Sequence, residues 1–165
     1  MARQVIFDIL STTVRDARVL DLFAGAGTLG IEALSRGAGE AVFVENDREA
    51  CSIILNNLEA TGLRSSAHIR RADAIRFLSR KSQTPFDLVF LDPPYSRGLG
   101  FVSRVLGKIA ASDWLRQGGT VVVEAQEGQI EWPSGFRETR TRRFGRTRVS
   151  VAVSDGVEGD LPGDI

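Results

Sequence analysis

The sequence predicts an α/β domain built around a mainly parallel sheet. Short apolar runs alternate with segments of helical periodicity through most of the 165 residues, which is the pattern of successive βαβ units. The last two apolar runs flank a single glycine, as the strands of an antiparallel hairpin do. We therefore expect one domain over residues 1–153 that ends in a hairpin, followed by an acidic, flexible tail over 154–165.

The first half of the chain predicts an opening helix followed by three strand–helix pairs. In the helix over 3–10, four apolar residues recur at helical spacing. The long helix over 48–61 is preceded by Asp47, a residue type that caps helix N-termini, and followed by Gly62, which suits a C-terminal cap. The other elements, in chain order, are strand 19–23, helix 29–35, strand 41–45, strand 67–71 and helix 74–79.

The second half of the chain predicts a buried strand, a helix and three further strands. Residues 86–91 are nearly all apolar, which is typical of a strand covered on both faces. A helix is expected over 102–111, and the strand 120–124 follows a pair of glycines. The hairpin strands are 136–144 and 146–153, on either side of Gly145.

The composition excludes several classes of protein. Apolar residues make up 42% and charged residues 25%, an ordinary globular mixture that disfavours disorder and coiled coils. The uncharged apolar runs are too short to cross a bilayer and the N-terminus has no signal-peptide pattern, so we expect a cytoplasmic protein without membrane contacts. Because Cys51 and His68 are single, we expect no disulfide, no bound metal and no histidine-based triad.

Positive charge is concentrated in the predicted hairpin. The whole chain has zero net charge, yet residues 135–150 carry six arginines against one glutamate. Arginine suits forked contacts to phosphate, so this stripe favours a nucleic-acid partner, although arginine can also reflect genomic base composition. The residues expected to contact RNA phosphates are Arg140, Arg142, Arg143, Arg146 and Arg148. Alternation along the strands would leave only some of them facing the RNA.

A glycine-rich segment over 21–30 (DLFAGAGTLG) joins the first strand to the first helix of the sheet. Its glycines satisfy a GxGxxG pattern, which marks ligand binding at a helix start but is weak alone. Asp21 argues against a dinucleotide, because a carboxylate there would repel pyrophosphate. The same carboxylate would attract the ammonium group of S-adenosylmethionine, which carries no phosphate. The segment therefore favours S-adenosylmethionine, with a plain tight turn as the alternative.

Two further acids lie at the end of the second strand and just after the third. Glu45 is placed to accept hydrogen bonds from ribose hydroxyls, although it could be a solvated strand-end acid. Asp73 could accept from the adenine amino group beside the Ala74 N–H, although it could instead cap a helix. The expected cofactor-binding residues are Asp21, Phe23, Gly25, Ala26, Gly27, Glu45, Asn46, Asp73, Ala74 and Asp92.

A second cluster directly follows the apolar strand 86–91 and consists of Asp92, Pro93, Pro94 and Tyr95. The prolines hold the backbone extended and remove two N–H donors, so acceptor oxygens can converge beside the tyrosine ring. A planar amine stacked on that ring would meet acceptors only, and its lone pair would point toward an incoming methyl group. The cluster predicts amine methylation, with these four residues as the catalytic ones and a rigid turn as the alternative.

Three segments together, 21–38, 44–47 and 92–95, resemble the RsmD-type bacterial methyltransferases that modify guanine N2 at position 966 of 16S ribosomal RNA. The similarity runs from about Arg3 to Val153. It implies a Rossmann-like class I methyltransferase fold, in which helices cover both faces of a mostly parallel seven-stranded sheet with an antiparallel C-terminal hairpin. It also implies S-adenosylmethionine as cofactor and 16S RNA, within an assembling small subunit, as partner.

In this interpretation Asp92 positions the guanine amine and takes its proton late, while Tyr95 stacks on the flipped base. We expect a monomer. The family's basic N-terminal segment is not found ahead of Arg3, so weak RNA binding by this chain is expected. The alternatives are methylation of adenine N6 in DNA or of a protein glutamine, and, from another class, a NAD-dependent oxidoreductase or a nucleotide-binding module.

Overall fold

The computed structural model describes residues 2–82, 84–126 and 128–155. These residues form five α-helices and seven strands. In chain order the elements are α1 (Ala2–Leu10), β1 (Arg18–Leu22), α2 (Thr28–Ser35), β2 (Glu40–Glu45), α3 (Arg48–Thr61), β3 (Ala67–Arg71), α4 (Ala74–Leu78), β4 (Phe86–Leu91), α5 (Gly98–Ala111), β5 (Leu115–Gln126), β6 (Phe136–Phe144) and β7 (Thr147–Ser154). None of the helices in these ranges combines the length and apolar composition needed to cross a bilayer. Residues 156–165 of the expected tail lie outside the described residues.

The seven strands form one sheet in the order β3-β2-β1-β4-β5-β7-β6. The first five strands in that order run parallel, and β7 lies antiparallel between β5 and β6. The predicted α/β fold with a C-terminal antiparallel hairpin is therefore confirmed. The strand order reverses at β1, which pairs with β2 on one side and β4 on the other. Open α/β sheets bind ligands outside the carboxyl ends of the strands at such a point.

The core has two parts, one on each face of the sheet. One face is covered by α1, α2 and α3, and the other by α4 and α5. The strand β4 supplies side chains to both parts, since Phe90 faces α1, where its ring lies 5.7 Å from that of Phe7, while Val89 faces the opposite cluster. This two-sided burial explains why β4 is almost continuously apolar rather than alternating.

Two element boundaries differ from those predicted by more than two residues. The strand β5 begins at Leu115 rather than at 120, because Leu115 pairs with Phe86 before a register shift leads to the pairing of Thr120 with Leu88. The glycines inside this stretch indicated a break, but they lie in the irregular part of the strand. The helix α5 begins at Gly98, ahead of the apolar periodicity from which its start was predicted at 102.

Gly30 lies where α2 touches the sheet, and the structure leaves no space for a side chain there. A β-carbon at this position would overlap the Phe43 ring and lie 3.1 Å from Asp21 Oδ2. Neither neighbour is a flexible chain end, so Gly30→Ala should lower the free energy of unfolding by about 1–3 kcal/mol, the usual cost of overpacking. Urea denaturation of parent and variant measures this difference.

Gly107→Ala is the matched control, because Gly107 also lies in a helix but a β-carbon there would meet no atom within 4 Å. Replacing glycine by alanine inside a helix stabilises it by roughly 0.5–1 kcal/mol. Equal unfolding midpoints for the two variants would contradict the close contact described for Gly30.

Candidate active site

The carboxyl ends of β1, β2, β3 and β4 open onto one cavity of about 610 Å³. The loops that follow these four strands form most of its wall, and β5 contributes Glu124. Cavity residues already predicted from the sequence are Asp21, Phe23, Gly25, Ala26, Glu45, Asn46, Asp73, Ala74, Asp92, Pro93, Pro94 and Tyr95. Segments that lie far apart in the chain thus meet at the strand ends.

The loop after β1 has an uncommon backbone conformation. Phe23, Gly25 and Gly27 have φ angles of 59°, 58° and 80°, all in the left-handed region. Such a conformation costs little for glycine but is strained for phenylalanine. The Phe23 ring is held in an edge-on contact with Phe101, at 5.6 Å between centroids. The strain therefore occurs where the loop turns back over the strand end to form the cavity wall.

Gly27 is the predicted cofactor residue that the structure does not place on the cavity wall. A β-carbon there would lie 3.2 Å from Ile54 and 3.3 Å from Ile31, on the side facing α3. Its N–H donates to the Ala24 carbonyl at 2.8 Å, which closes the loop. Gly27 thus meets two structural requirements, a left-handed backbone angle and close packing.

Asp21 is buried inside the sheet end, with 1% of its surface exposed. Its Oδ2 accepts a hydrogen bond of 3.0 Å from the backbone N–H of Gly30, in the first turn of α2. Burial raises the pKa of Asp21 to about 8; the Gly30 N–H opposes this rise, and the carboxylates of Asp92 and Glu45 add to it. Asp21 therefore anchors α2 to β1 and also lines the cavity.

Glu45 connects the loops that follow β1 and β2. Its Oε1 accepts from the Gly25 N–H at 3.0 Å, and its Oε2 accepts from the Asp47 N–H at 2.8 Å. Both oxygens are therefore fixed in position at the end of β2. Asp47 itself caps α3 by accepting from the Ala50 N–H at 2.8 Å, the role predicted for it.

Asp73 caps α4, because its Oδ1 accepts from the Arg76 N–H at 3.0 Å. It also lines the cavity next to Ala74. Capping and acceptance from an adenine amine were considered as alternatives; the structure shows the cap, and it places the same side chain on the cavity wall. A carboxylate has two oxygens, so capping through Oδ1 is compatible with a ligand contact.

Asp92 and Tyr95 form the opposite end of the cavity from Asp73. Asp92 directly follows β4, and burial raises its pKa to about 7, with a further rise caused by the nearby Glu124 carboxylate. Tyr95 is 46% exposed, and its hydroxyl lies 3.0 Å from Thr147 Oγ1 on β7. The carboxyl group thus lies in the wall of the cavity, while the aromatic ring stands at its mouth.

Glu124 is a cavity residue that the sequence analysis missed. Val123 pairs with Leu91, so Glu124 and Asp92 follow neighbouring positions on adjacent strands. Burial raises the pKa of Glu124, and a hydrogen bond from the Tyr95 hydroxyl opposes this rise. The available signal was a single acid at the end of an apolar strand that was itself predicted to lie in the parallel sheet.

The hairpin arginines divide between the two faces of β6. On β6, Arg140 pairs with Val151 and Arg142 pairs with Val149, so both arginines lie on the face that carries these two valines. Arg143 pairs with Arg148, and this pair lies on the opposite face. Arg146 lies in the turn between the strands. The division between faces was expected, but the internal contacts of Arg148 were not. Its Nη1 donates to the Gly128 carbonyl at 2.8 Å, and its Nη2 lies 3.6 Å from Glu138 Oε1.

Comparison with known proteins identifies the family to which this chain belongs. A model of the family described as Conserved hypothetical protein 95 matches residues 1–153. Ribosomal RNA small subunit methyltransferase D of Escherichia coli is 37% identical over 124 residues, 75% of this chain and 61% of that protein. The chain thus spans about three fifths of the length of this relative. Putative rRNA methyltransferase YlbH of Bacillus subtilis is 35% identical over 93% of this chain and 85% of that protein.

Solved structures agree with this result. Putative methyltransferase yhhF from Escherichia coli superposes with a TM-score of 0.86 at 32% identity, covering 93% of this chain and 86% of that chain. A conserved hypothetical protein from Streptococcus pyogenes superposes with a TM-score of 0.84 at 33% identity, covering 92% and 94%. The sheet order and the helices on both faces are therefore those of a known methyltransferase-like fold.

Asp21→Asn tests the buried carboxyl group through pH. The folded-state pKa of Asp21 is about 8, whereas the pKa of an aspartate in an unfolded chain is about 3.9. The folded protein thus holds a proton that the unfolded chain releases, and the stability of the parent should fall as pH rises from about 4 to about 8. The variant should lose this part of the fall. The free energy of unfolding is measured by denaturation at pH 5 and at pH 8 for both proteins. Between these pH values it should fall by more in the parent than in the variant, with a difference above about 1 kcal/mol, since one pKa unit corresponds to about 1.4 kcal/mol.

Asp8→Asn is the control, because Asp8 is an exposed acid on α1. Its pH profile should match that of the parent. A profile of Asp21→Asn that also matches the parent would show that Asp21 is not the proton-holding group.

Proposed function

Because the chain belongs to the Conserved hypothetical protein 95 family, which contains the RsmD-type methyltransferases, we propose that it transfers a methyl group from S-adenosylmethionine to ribosomal RNA. The proposed target is the exocyclic N2 amine of a guanine in 16S RNA, guanine 966 in the RsmD-type enzymes. The observation that carries this proposal is the cavity in which the acids at the carboxyl ends of β1, β2 and β3 meet the Asp92–Tyr95 cluster.

The cofactor half of the cavity fits an adenosine bearing a cationic amino acid. Glu45 would accept from the ribose hydroxyls, because its bonds to the Gly25 and Asp47 N–H groups fix both of its oxygens. Asp73 would accept from the adenine amine, and Asp21 would attract the ammonium group. The sulfonium of S-adenosylmethionine supplies an activated methyl group and a good leaving group. The residues around it therefore have to provide proximity and in-line orientation.

The substrate half of the cavity fits a flipped guanine. Tyr95 offers an exposed ring for stacking at the cavity mouth, as enzymes that act on extruded bases require. Asp92 would accept an N–H of the amine and so direct its lone pair toward the methyl group. As the nitrogen–carbon bond forms and the sulfur–carbon bond breaks, the amine loses a proton, and a carboxyl group with a pKa of about 7 can take it late in the reaction.

The decisive experiment uses small-subunit particles that lack the modification. The chain is incubated with them and with methyl-labelled S-adenosylmethionine, and the RNA is digested to nucleosides. Labelled N2-methylguanosine supports the proposal, and free 16S RNA in a parallel reaction distinguishes an assembled from a naked substrate. Label in another nucleoside or in protein would favour a different planar amine. Stabilisation by NAD but not by S-adenosylhomocysteine in a thermal-shift assay would favour an oxidoreductase.

Asp92→Ala should lower the rate of methyl transfer by about a hundredfold or more, the usual effect of losing an acid–base group. Its affinity for S-adenosylhomocysteine, measured by calorimetry, should stay within about twofold of that of the parent, because Asp92 is assigned mainly to the amine. Asp92→Asn is the matched variant, since its amide oxygen still accepts a hydrogen bond. If Asp92→Ala transfers methyl groups at the parental rate, the Asp92–Tyr95 cluster is a rigid turn and not a catalytic site.

Arg140→Ala and Arg142→Ala should weaken RNA binding, because both side chains are exposed on the same face of β6. Each lost phosphate contact should reduce the slope of log affinity against log salt by about 0.7–0.9. Arg148→Ala should leave this slope unchanged and instead lower the stability, since Arg148 contacts Gly128 and Glu138. Filter binding over a salt series measures the slopes. Unchanged slopes in the first two variants would show that these arginines make no phosphate contact.

A further inference from the structure

Glu124 and Asp92 present two carboxyl groups side by side at the substrate end of the cavity. The strands β4 and β5 are parallel neighbours in register, with Leu91 opposite Val123, and adjacent strands lie about 4.8 Å apart. The next residue on each strand is one of these acids, and both acids line the cavity. The pair therefore forms a double acceptor on one wall.

The protein itself gives this pair little compensation. Within the described residues Glu124 makes no ion pair, and the Tyr95 hydroxyl, which lies 3.0 Å from Thr147 Oγ1, is the group that opposes the rise of its pKa. Glu124 is also the neighbouring charge that raises the pKa of Asp92. Groups in this condition bind best to a ligand that brings its own N–H donors, because each donated bond relieves both burial and repulsion.

Guanine carries such donors on adjacent atoms of its Watson–Crick edge, namely N1–H and the N2 amine. We propose that Glu124 is a specificity-determining residue that accepts from N1–H of the target guanine while Asp92 accepts from the N2 amine. This inference rests on the proposed function, which supplies guanine as the substrate. Flipped bases are commonly identified through hydrogen bonds to this edge.

The same arrangement would reject other bases. Adenine and cytosine carry an unprotonated ring nitrogen beside their exocyclic amine, and its lone pair would face the Glu124 carboxylate. A site built to receive an N–H group rejects an analogue that lacks it by factors of about 10⁴ when its polar groups are left unpaired. Glu124 would therefore act on base choice, whereas Asp92 acts on the reacting amine itself.

The test changes the Watson–Crick edge of the base and, separately, one atom of the Glu124 side chain. Small-subunit particles are reconstituted with 16S RNA ligated from three pieces, and the middle piece carries either guanine or 2-aminopurine at the target position. The analogue keeps the N2 amine but presents N1 as an acceptor and lacks O6. Because the loss of O6 is common to both proteins, comparing parent with Glu124→Gln isolates the N1 contact.

The parent should methylate guanine at least a hundredfold faster than 2-aminopurine. Glu124→Gln should narrow this ratio at least tenfold, because a glutamine amide can rotate to donate to N1. Glu124→Asp, which keeps the charge, should retain the parental preference for guanine, and Glu131→Gln, an exposed change, should leave the ratio unaltered. If transfer by Glu124→Gln is too slow to follow, the same ratio is measured as equilibrium affinity by competition, with 2-aminopurine fluorescence as the signal.

Each failure has a distinct signature. If Glu124→Gln methylates guanine normally and keeps the parental ratio of guanine to 2-aminopurine methylation, the proposed role of Glu124 is wrong, while the proposed function is unaffected. A loss of S-adenosylhomocysteine affinity above about tenfold in Glu124→Gln overturns it as well, since Glu124 would then serve the cofactor. A parent chain that transfers no methyl group to guanine-containing particles overturns the proposed function and this inference together.

Discussion

The cavity depends on one buried hydrogen bond, from the Gly30 N–H to Asp21 Oδ2. It ties the first turn of α2 to the end of β1, so the intervening loop must turn back within a few residues. That turn accounts for the left-handed angles of Phe23, Gly25 and Gly27, and it leaves no space for a side chain at Gly30. Glu45 then fixes the same loop from the neighbouring strand. These two carboxylates therefore hold the part of the cavity wall that follows β1.

Acidic groups dominate the polar part of the cavity. Asp21, Glu45, Asp92 and Glu124 gather at the ends of four neighbouring strands, and burial raises the pKa of three of them. Such an arrangement opposes folding, because acidic groups that lie close together and out of water must either bind protons or repel one another as carboxylates. It also preorganises acceptors for a ligand that carries cationic and N–H groups. The conflict between stability and binding is thus concentrated at one edge of the sheet.

The sequence was most informative where local chemistry dominates. Helix caps such as Asp47, the apolar strand β4 and the Asp92–Tyr95 cluster all depend on neighbours in the chain, and these were predicted at nearly the right positions. Glu124 was missed because its importance comes from the register between β4 and β5, which no local pattern encodes. The contact of Gly27 with Ile54 and the bond from Arg148 to Gly128 also join distant segments. The start of β5 was misplaced because Gly118 and Gly119 suggested a break that the register shift absorbs.

Within residues 2–82, 84–126 and 128–155, the hairpin strand β6 forms one border of the sheet and pairs only with β7. A free strand border exposes unpaired backbone groups and invites other chains to add to it, which leads to aggregation. Along β6 the register shifts between Glu138 and Arg140, and bulky charged side chains follow that irregularity. Both features are among those that disfavour strand addition. The arginines proposed to contact RNA phosphates are therefore also expected to disfavour strand addition along β6, and apolar replacements at these positions should favour self-association.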